Sequence, residues 1–339
     1  MEKIRISRQA KIKNFRRLIM SGTIVDVPGV LVGHAQNEET LTGCSVIMLE
    51  KPSVCGVDVR GSAPGTRETD LLDPVNLVSV VHAICLSGGS AYGLDAATGV
   101  MQYLEEQGIG LDVGFGVVPI VPAAVLFDLA VGDYRVRPDR QMGYEAVQAA
   151  SSETVAQGNV GAGTGASVGK LNGFGNAMKS GLGTASVILP NGLVVGAIVA
   201  VNAVGHVVDP QSGTIIAGPR DEQGTIRDSM EIMRQRAFAP IPPGTNTTIA
   251  VVASNARLSK AEANKVAQMA HDGLARTIRP IHTMYDGDTI FAVATGEVET
   301  SVDLVGALSA DVLAEAVIQA VKHAEEAGGL PSYRSYFQE

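Results

Sequence analysis

The chain has 339 residues, enough to bury a large hydrophobic core in one large domain or two ordinary ones. Apolar residues make up 45% of the chain and charged residues only 18%, which favours a globular protein over a disordered one. The net charge of −9 argues against a general nucleic-acid binder, because neutralising phosphates requires clustered Lys and Arg. The same charge suits a soluble cytoplasmic protein.

The first 21 residues carry seven basic side chains, but no apolar stretch long enough for a signal peptide or a membrane span. We interpret residues 1–21 as a basic N-terminal arm ahead of one globular unit, residues 22–339, with no membrane partner. Three cysteines without a CxxC pair indicate a reducing compartment and no zinc site. No metal or organic cofactor is implied.

In the first half of the chain, short β-prone segments at 23–25 and 44–49 precede two predicted helices. Residues 90–106 place apolar side chains every three or four positions, as an amphipathic helix does. Residues 141–156 form the second predicted helix. The segment Ser87-Gly88-Gly89-Ser90 lies at the start of the first predicted helix. We interpret Ser90 as a helix cap or as a residue in the wall of a pocket.

A hairpin is predicted at residues 185–201, because Asn191-Gly192 supplies the positive φ angles of a tight turn. Its second strand is apolar at nearly every position, so layers should cover both faces of the sheet. Farther on, we predict a strand at 248–253 and a helix beginning at Ser259, whose spacing to Glu262 is that of a capping box. A strand at 290–294 and a helix at 309–326 complete an α/β protein.

The glycine-rich stretch from Gly161 to Lys170 suggests two nucleotide-binding motifs, and both fail in detail. A phosphate-binding loop would need Gly at 164 and Ser or Thr at 171, where the chain has Thr164 and Leu171. The dinucleotide pattern lacks a convincing preceding strand and a following acidic residue. We therefore interpret the stretch as a tight loop that brings Lys170 or backbone amides to a site.

Four histidines, His82, His206, His271 and His282, are too scattered for a metal cluster. We interpret each of them as structural.

Thr247 is the candidate nucleophile. A threonine at the start of a strand is ordinarily a β-former, but Thr247 would become reactive as the first residue of a chain, with its free α-amine as base. That requires a cut between Asn246 and Thr247.

Downstream, Asp286 and Asp288 stand two residues apart and would face one side of an extended segment. Two such carboxylates can orient the Thr hydroxyl and amine, or pair with an ammonium on the substrate.

Several long motifs resemble one family in the same order. They are Thr23 to Val30, Gly56 to Gly61, Pro64 to Leu72, His82 to Leu94, and the segments around Thr247 and Asp286. From residue 22 to 330 the chain resembles the DmpA-type aminopeptidases (L-aminopeptidase/D-esterase). That family also includes β-aminopeptidases and the endo-hydrolases of 6-aminohexanoate (nylon) oligomers.

The resemblance implies a four-layer α/β/β/α sandwich of the N-terminal-nucleophile type. It implies autocatalytic cleavage into residues 1–246 and 247–339, with Thr247 as nucleophile and Asn202 as a donor to the oxyanion. Asp286 and Asp288 correspond to the pair beside the nucleophile, Tyr144 to a pocket tyrosine, and Lys170 to a lysine near the site. Tetramers of processed units are also implied.

The substrate class stays open between the two branches of that family. Thr247 with Asp286 and Asp288 is similar to the nylon-oligomer branch, whereas the loop from Arg67 to Leu72 is similar to the aminopeptidases. We expect a self-cleaving amide hydrolase acting on a small peptide or amide, with nylon-oligomer hydrolysis as the alternative. Acyl transfer, as in the ornithine acetyltransferases of similar fold, and a non-catalytic role in ligand binding stay open as well.

Overall fold

The fold is described from a computed structural model, which covers residue 20 and residues 22–235 and 245–338. All of the basic arm predicted at residues 1–21 except Met20 lies outside the described residues.

Within the described residues, strands and helices are numbered in chain order. The strands are β1 (Val30–Asn37), β2 (Thr42–Val59), β3 (Thr66–Arg67), β4 (Val80–Ser87), β5 (Leu111–Asp112), β6 (Val117–Val118), β7 (Ala123–Val125), β8 (Ser167–Val168), β9 (Met178–Lys179), β10 (Leu182–Ile188), β11 (Val194–Asn202), β12 (His206–Val208), β13 (Ile215–Ala217), β14 (Thr247–Ala256), β15 (Ile278–Arg279) and β16 (Thr289–Val298). The helices are α1 (Ala96–Glu106), α2 (Arg140–Gln148), α3 (Ser229–Gln235), α4 (Lys260–Thr277), α5 (Val302–Lys322) and α6 (Tyr333–Phe337).

The largest sheet formed by the described residues has nine strands, in the order β10-β11-β14-β16-β2-β4-β7-β3, with β1 also paired to β2. The long strand β2 links its two halves. Its first part pairs with β1 and β4, and its last part pairs with β16 beyond a register shift between Met48 and Ser53. The β14–β16 pair is parallel, whereas β11–β14 and β16–β2 are antiparallel.

Three hydrophobic cores lie between four layers. One core packs β10, β11, β14 and β16 against α4 and α5, and another packs β2 and β4 against α1 and α2. The core between them joins the inner faces of both halves of the sheet. Along β11, Val195, Ala197 and Val199 face the helices, while Ile198 and Ala200 face the middle core. The expected α/β/β/α sandwich is confirmed.

Most of the strands and helices predicted from local sequence signals are present in the structure. The hairpin at Asn191-Gly192 joins β10 to β11, with Gly192 at φ 85°. Helix α4 begins after Ser259 and has the predicted capping box with Glu262. The predicted helix at 90–106 starts as a 3-10 turn, Ser90–Asp95, before α1.

Three sequence predictions need correction. The segment predicted as β-prone at 23–25 is a 3-10 turn, Ile24–Asp26, in which Asp26 bonds the Thr23 N–H as a capping box. Helix α2 is shorter than the predicted 141–156. Helix α5 begins at Val302 instead of residue 309, where Ser301 accepts the Leu304 N–H as an N-cap.

Helix α5 is long and apolar enough to cross a membrane, but 67% of its apolar window is buried inside the protein. It packs on β10 and β11 as a core helix.

Candidate active site

Thr247 is the first residue of β14, which lies inside the large sheet between β11 and β16. It is 3% exposed and is directly opposite Asn202, the last residue of β11. Its hydroxyl donates to the carbonyl oxygen of Asn246 at 2.5 Å. The predicted nucleophile therefore lies against the peptide unit that a cut before residue 247 would break.

The Asn246 carbonyl oxygen has a second donor. The backbone N–H of Gly287 donates to it at 3.0 Å, next to a parallel bridge between Asn246 and Asp286. A Cβ at position 287 would lie 2.7 Å from the Ala63 carbonyl oxygen and 2.9 Å from Thr247 Oγ1. Glycine at this position therefore allows the backbone to approach the Asn246 carbonyl.

Asp286 and Asp288 flank Gly287, and both are buried. Asp286 Oδ2 accepts the Thr283 N–H at 2.7 Å, and Asp288 Oδ1 accepts the Thr248 N–H at 2.7 Å. Asp288 therefore binds the strand that carries Thr247. The second oxygen of Asp286, Oδ1, has no hydrogen-bond partner among the described residues.

Burial raises the pKa of Asp286 to about 6, and the negative charge of Asp288 acts in the same direction. The hydrogen bonds from Thr283 and the positive charge of Lys170 lower that pKa. A carboxyl group with a pKa near neutrality can take up or release a proton under physiological conditions.

Lys170 reaches the same region from the glycine-rich loop and is 6% exposed. Its Nζ donates to the backbone oxygen of Asn202 at 2.8 Å and to Asn202 Oδ1 at 2.7 Å, and lies 3.5 Å from the Thr245 carbonyl oxygen. Burial lowers the pKa of Lys170 to about 7, against the raising effect of Asp286 and Asp128.

The side-chain amide of Asn202 makes three hydrogen bonds in the uncleaved chain. Its Oδ1 accepts the Ser167 N–H at 3.1 Å as well as the Lys170 bond, and its Nδ2 donates to the Phe127 carbonyl oxygen at 2.8 Å. Asn202 therefore orients Lys170 here, and Gly287 is the backbone donor on the Asn246 carbonyl. The predicted oxyanion role of Asn202 stays a prediction for the cleaved protein.

Tyr144 lies elsewhere, on α2. Its hydroxyl donates to Glu106 at 2.8 Å, and its ring packs edge-on against Tyr103 at 5.5 Å. These contacts within the described part of the chain place Tyr144 between α1 and α2. Its predicted role in substrate binding stays a prediction.

Two contacts at this site were not predicted from the sequence. The Gly287 N–H was not predicted because a backbone donor leaves no trace in residue type. His282 was interpreted as structural, and its contact with the site, 2.9 Å from its Nδ1 to Asp288 Oδ2, was not predicted. Its position six residues before Asp288, in the same loop, was the available signal.

The sequence pattern of peptidase family S58 matches residues 22–333. The chain belongs to this family. It is therefore a hydrolase that acts on amide bonds, and the resemblance to the DmpA-type aminopeptidases is confirmed.

Two relatives with curated names align with most of this chain. An uncharacterized aminopeptidase of Mycobacterium leprae is 45% identical, over 93% of this chain and 94% of that protein. A 6-aminohexanoate-oligomer endohydrolase of Paenarthrobacter ureafaciens is 35% identical, over 88% of this chain and 85% of that protein.

Two solved structures share the S58 fold. A β-aminopeptidase of Burkholderia sp. superposes with a TM-score of 0.69 at 22% identity, covering 92% of this chain and 90% of its own. The L-aminopeptidase D-Ala-esterase/amidase of Ochrobactrum anthropi has a TM-score of 0.69 at 20% identity, covering 91% and 88%. The latter is described as a variant of the Ntn hydrolase fold.

Proposed function

We propose that this S58 protein is a self-cleaving aminopeptidase or amidase that cuts itself between Asn246 and Thr247 and then uses Thr247 as its nucleophile. One observation carries the proposal. The Thr247 hydroxyl lies 2.5 Å from the Asn246 carbonyl oxygen, and the Gly287 N–H donates to that oxygen at 3.0 Å. A buried hydroxyl and a backbone donor thus converge on the peptide unit to be cut.

In the self-cleavage step, Thr247 Oγ1 attacks the carbonyl carbon of Asn246 and loses its proton. The C–N bond to Thr247 breaks, its nitrogen takes up a proton, and an ester links Asn246 to the Thr247 oxygen. Water then hydrolyses the ester, leaving a carboxylate on Asn246 and a free amine on Thr247. The Gly287 N–H stabilises the negative charge that develops on the carbonyl oxygen.

The proposed proton carriers of this step are Asp286, whose Oδ1 has no hydrogen-bond partner among the described residues, and Lys170, whose Nζ lies 3.5 Å from the Thr245 carbonyl oxygen. The pKa of Asp286 is raised to about 6 and that of Lys170 is lowered to about 7, both chiefly by burial. Proton transfer is most efficient when the pKa of the carrier lies near the working pH.

In the hydrolysis of a substrate, the free Thr247 amine would accept the proton from its own hydroxyl as the oxygen attacks an amide carbonyl. An unperturbed α-amine has a pKa of about 7.7 to 8.0, which permits this near neutral pH. Asn202 Nδ2 carries two N–H groups. One donates to the Phe127 carbonyl oxygen, and the other is the proposed donor to the oxyanion. Water then releases the acyl group from Thr247.

For the substrate, we propose a small peptide or amide with a free amino end. The similarity to a mycobacterial protein named as an aminopeptidase supports this choice. The specific alternative is endo-hydrolysis of 6-aminohexanoate oligomers, which the Paenarthrobacter relative is named for and which the Thr-Asp-Asp set favours. A cytoplasmic location and a homotetramer of processed units belong to the same proposal.

Activity assays on the purified protein test this function. α- and β-amino-acid anilides and 6-aminohexanoate oligomers are incubated with the wild type, Thr247→Ser and Thr247→Ala. We expect hydrolysis by the wild type, weaker hydrolysis by the Ser variant, which keeps a hydroxyl, and none by the Ala variant. Full activity in Thr247→Ala would overturn the proposal, and amides formed between the acyl group and an added amine would instead indicate acyl transfer.

A further inference from the structure

We propose that His282 is a positioning residue of the Thr247 site, where its ring fixes the Asp288 carboxylate that binds the start of β14. The proposal rests on the proposed function for its effect on rate. Its structural part can be tested in a chain that never cleaves.

The contacts of Asp288 link His282 to the nucleophile. Asp288 Oδ1 accepts the N–H of Thr248, the residue after Thr247, at 2.7 Å. Asp288 Oδ2 accepts the backbone N–H of His282 at 3.1 Å and lies 2.9 Å from the ring Nδ1. Because an aspartate carboxylate accepts hydrogen bonds at both oxygens, the ring is assigned as the donor, from Nδ1. The carboxylate is thus held from two sides, by β14 and by the His282 turn.

The backbone of His282 restricts which residues can replace it without strain. His282 has φ 57°, in the left-handed region that glycine and asparagine adopt most easily. Residues held there against their preference cluster at functional sites. Glycine or asparagine would fit the turn with less strain, but glycine would bring no donor to Asp288 Oδ2.

A neighbouring ring holds His282 in place. The His282 side chain is 16% exposed and packs edge-on against His271, with 4.7 Å between ring centroids. His271 is buried, and its Nε2 lies 3.0 Å from the Asp58 carbonyl oxygen on β2. Burial lowers the pKa of His271 to about 4, so this supporting ring is neutral at neutral pH. The His282 ring is therefore braced by a fixed, uncharged partner.

Two substitutions at position 282 separate the hydrogen bond from the backbone. Both His282→Gly and His282→Asn tolerate a positive φ. Only the asparagine variant keeps a side-chain N–H near the place of Nδ1. His82→Asn is the control, because His82 is a buried histidine whose Nδ1 accepts the Ile120 N–H at 3.0 Å, outside the Thr247 site.

The first readout is the rate of self-cleavage, followed by intact mass after cell-free synthesis. We expect His282→Gly to cleave roughly 100-fold more slowly, because misplacing a reacting group by about 1 Å costs about that much. His282→Asn should recover most of the rate, and His82→Asn should cleave at the wild-type rate per folded molecule. A folded His282→Gly that cleaves at the wild-type rate would overturn the proposal. So would a folded His282→Asn that is as slow as the glycine variant.

The second readout does not depend on catalysis. In the Thr247→Ala background, hydrogen exchange of the Thr248 amide is measured by NMR with histidine, asparagine or glycine at 282. We expect the Thr248 amide to exchange roughly ten-fold faster with glycine only, because glycine loses the side-chain hydrogen bond to the Asp288 carboxylate that accepts this amide. Equal exchange in all three chains contradicts the role of His282. If the Thr248 amide exchanges faster with glycine only, the positioning role of His282 holds. If the wild-type chain also never cleaves itself, the proposed function is rejected independently of that role.

Discussion

At the scale of single residues, the site places ionisable groups where burial disfavours their charge. Asp286 is 1% exposed and keeps its proton up to about pH 6, whereas a carboxyl group in an unfolded chain titrates near 3.9. Between those two values the folded state binds more protons than the unfolded state. The contribution of Asp286 to stability therefore falls as the pH rises through this range and stays unfavourable above it.

Asp286→Asn should stabilise the uncleaved chain above about pH 6. In the Thr247→Ala background, Asn removes the buried charge and still accepts the Thr283 N–H. We expect a higher unfolding temperature at about pH 8, with a gain that shrinks as the pH falls toward about 4. Thermal unfolding across this range measures it. A gain that does not change with pH, or a loss at pH 8, would contradict the assignment of a buried charge.

Asn202→Asp tests the proposed oxyanion donor in the cleaved protein. Aspartate keeps an oxygen for Lys170 and Ser167 but removes the Nδ2 donor. We expect kcat for amide hydrolysis to fall roughly 100-fold to 1000-fold, as on loss of one such donor. The measurement uses chains whose processing has been verified by mass. An unchanged kcat would limit Asn202 to the orientation of Lys170.

At the scale of elements, the turn before β16 and the loop after β2 meet beside the start of β14. The turn Asp286-Gly287-Asp288 precedes β16, and the loop after β2 binds its backbone through Gly61 and Ala63. The Ala63 N–H donates to the Asp286 carbonyl oxygen at 2.9 Å, and the Gly61 N–H donates to the Asp288 carbonyl oxygen at 3.2 Å. The position of the Gly287 N–H therefore depends on packing between elements far apart in sequence.

Gly287→Ala should slow self-cleavage more than it changes folding. The added methyl group would lie 2.9 Å from Thr247 Oγ1 and 2.7 Å from the Ala63 oxygen, so one of them must move. We expect a rate at least about ten-fold lower in a time course of intact mass. Gly116→Ala is the control, because a Cβ there meets nothing within 4 Å. Equal rates in both variants would contradict a role for Gly287 in self-cleavage.

Ser259→Ala should weaken α4 without touching the site. Ser259 accepts the Glu262 N–H, and Glu262 accepts the Ser259 N–H at 2.8 Å. Loss of such a cap costs about 1 kcal/mol of unfolding free energy. Urea unfolding of the Thr247→Ala chain measures the change, with the exposed Ser152→Ala as control. Equal stability of the two variants would show that the cap contributes nothing.

Elements that are set by local sequence signals could be predicted, whereas contacts that depend on how distant strands pair could not. The capping box at Ser259 and the Asn191-Gly192 turn are set by neighbouring residues, so both were visible in the sequence. The parallel alignment of β14 with β16, which brings Asn246 to Asp286, is a contact between segments distant in sequence. Residue spacing predicted that Asp286 and Asp288 share a side, but not the hydrogen bond from His282.

At the scale of the molecule, a cut before Thr247 would not free the second fragment. Its strands β14 and β16 are inserted between β11 and β2 of the first fragment, with α4 and α5 packed over them. We expect both fragments to co-elute in native gel filtration and to separate only under denaturing conditions. Separate native peaks would contradict the sheet order described above.

Self-cleavage by Thr247 is tested by the intact mass of the wild type and of Thr247→Ala under denaturing conditions. We expect the 35.1 kDa wild-type chain to give two fragments of about 25 and 10 kDa, the smaller one beginning at Thr247, while the variant stays whole. Thr247→Ser should still cleave, because it keeps the hydroxyl. An uncut wild type, or a Thr247→Ala chain cut at the same place, would contradict self-cleavage by Thr247.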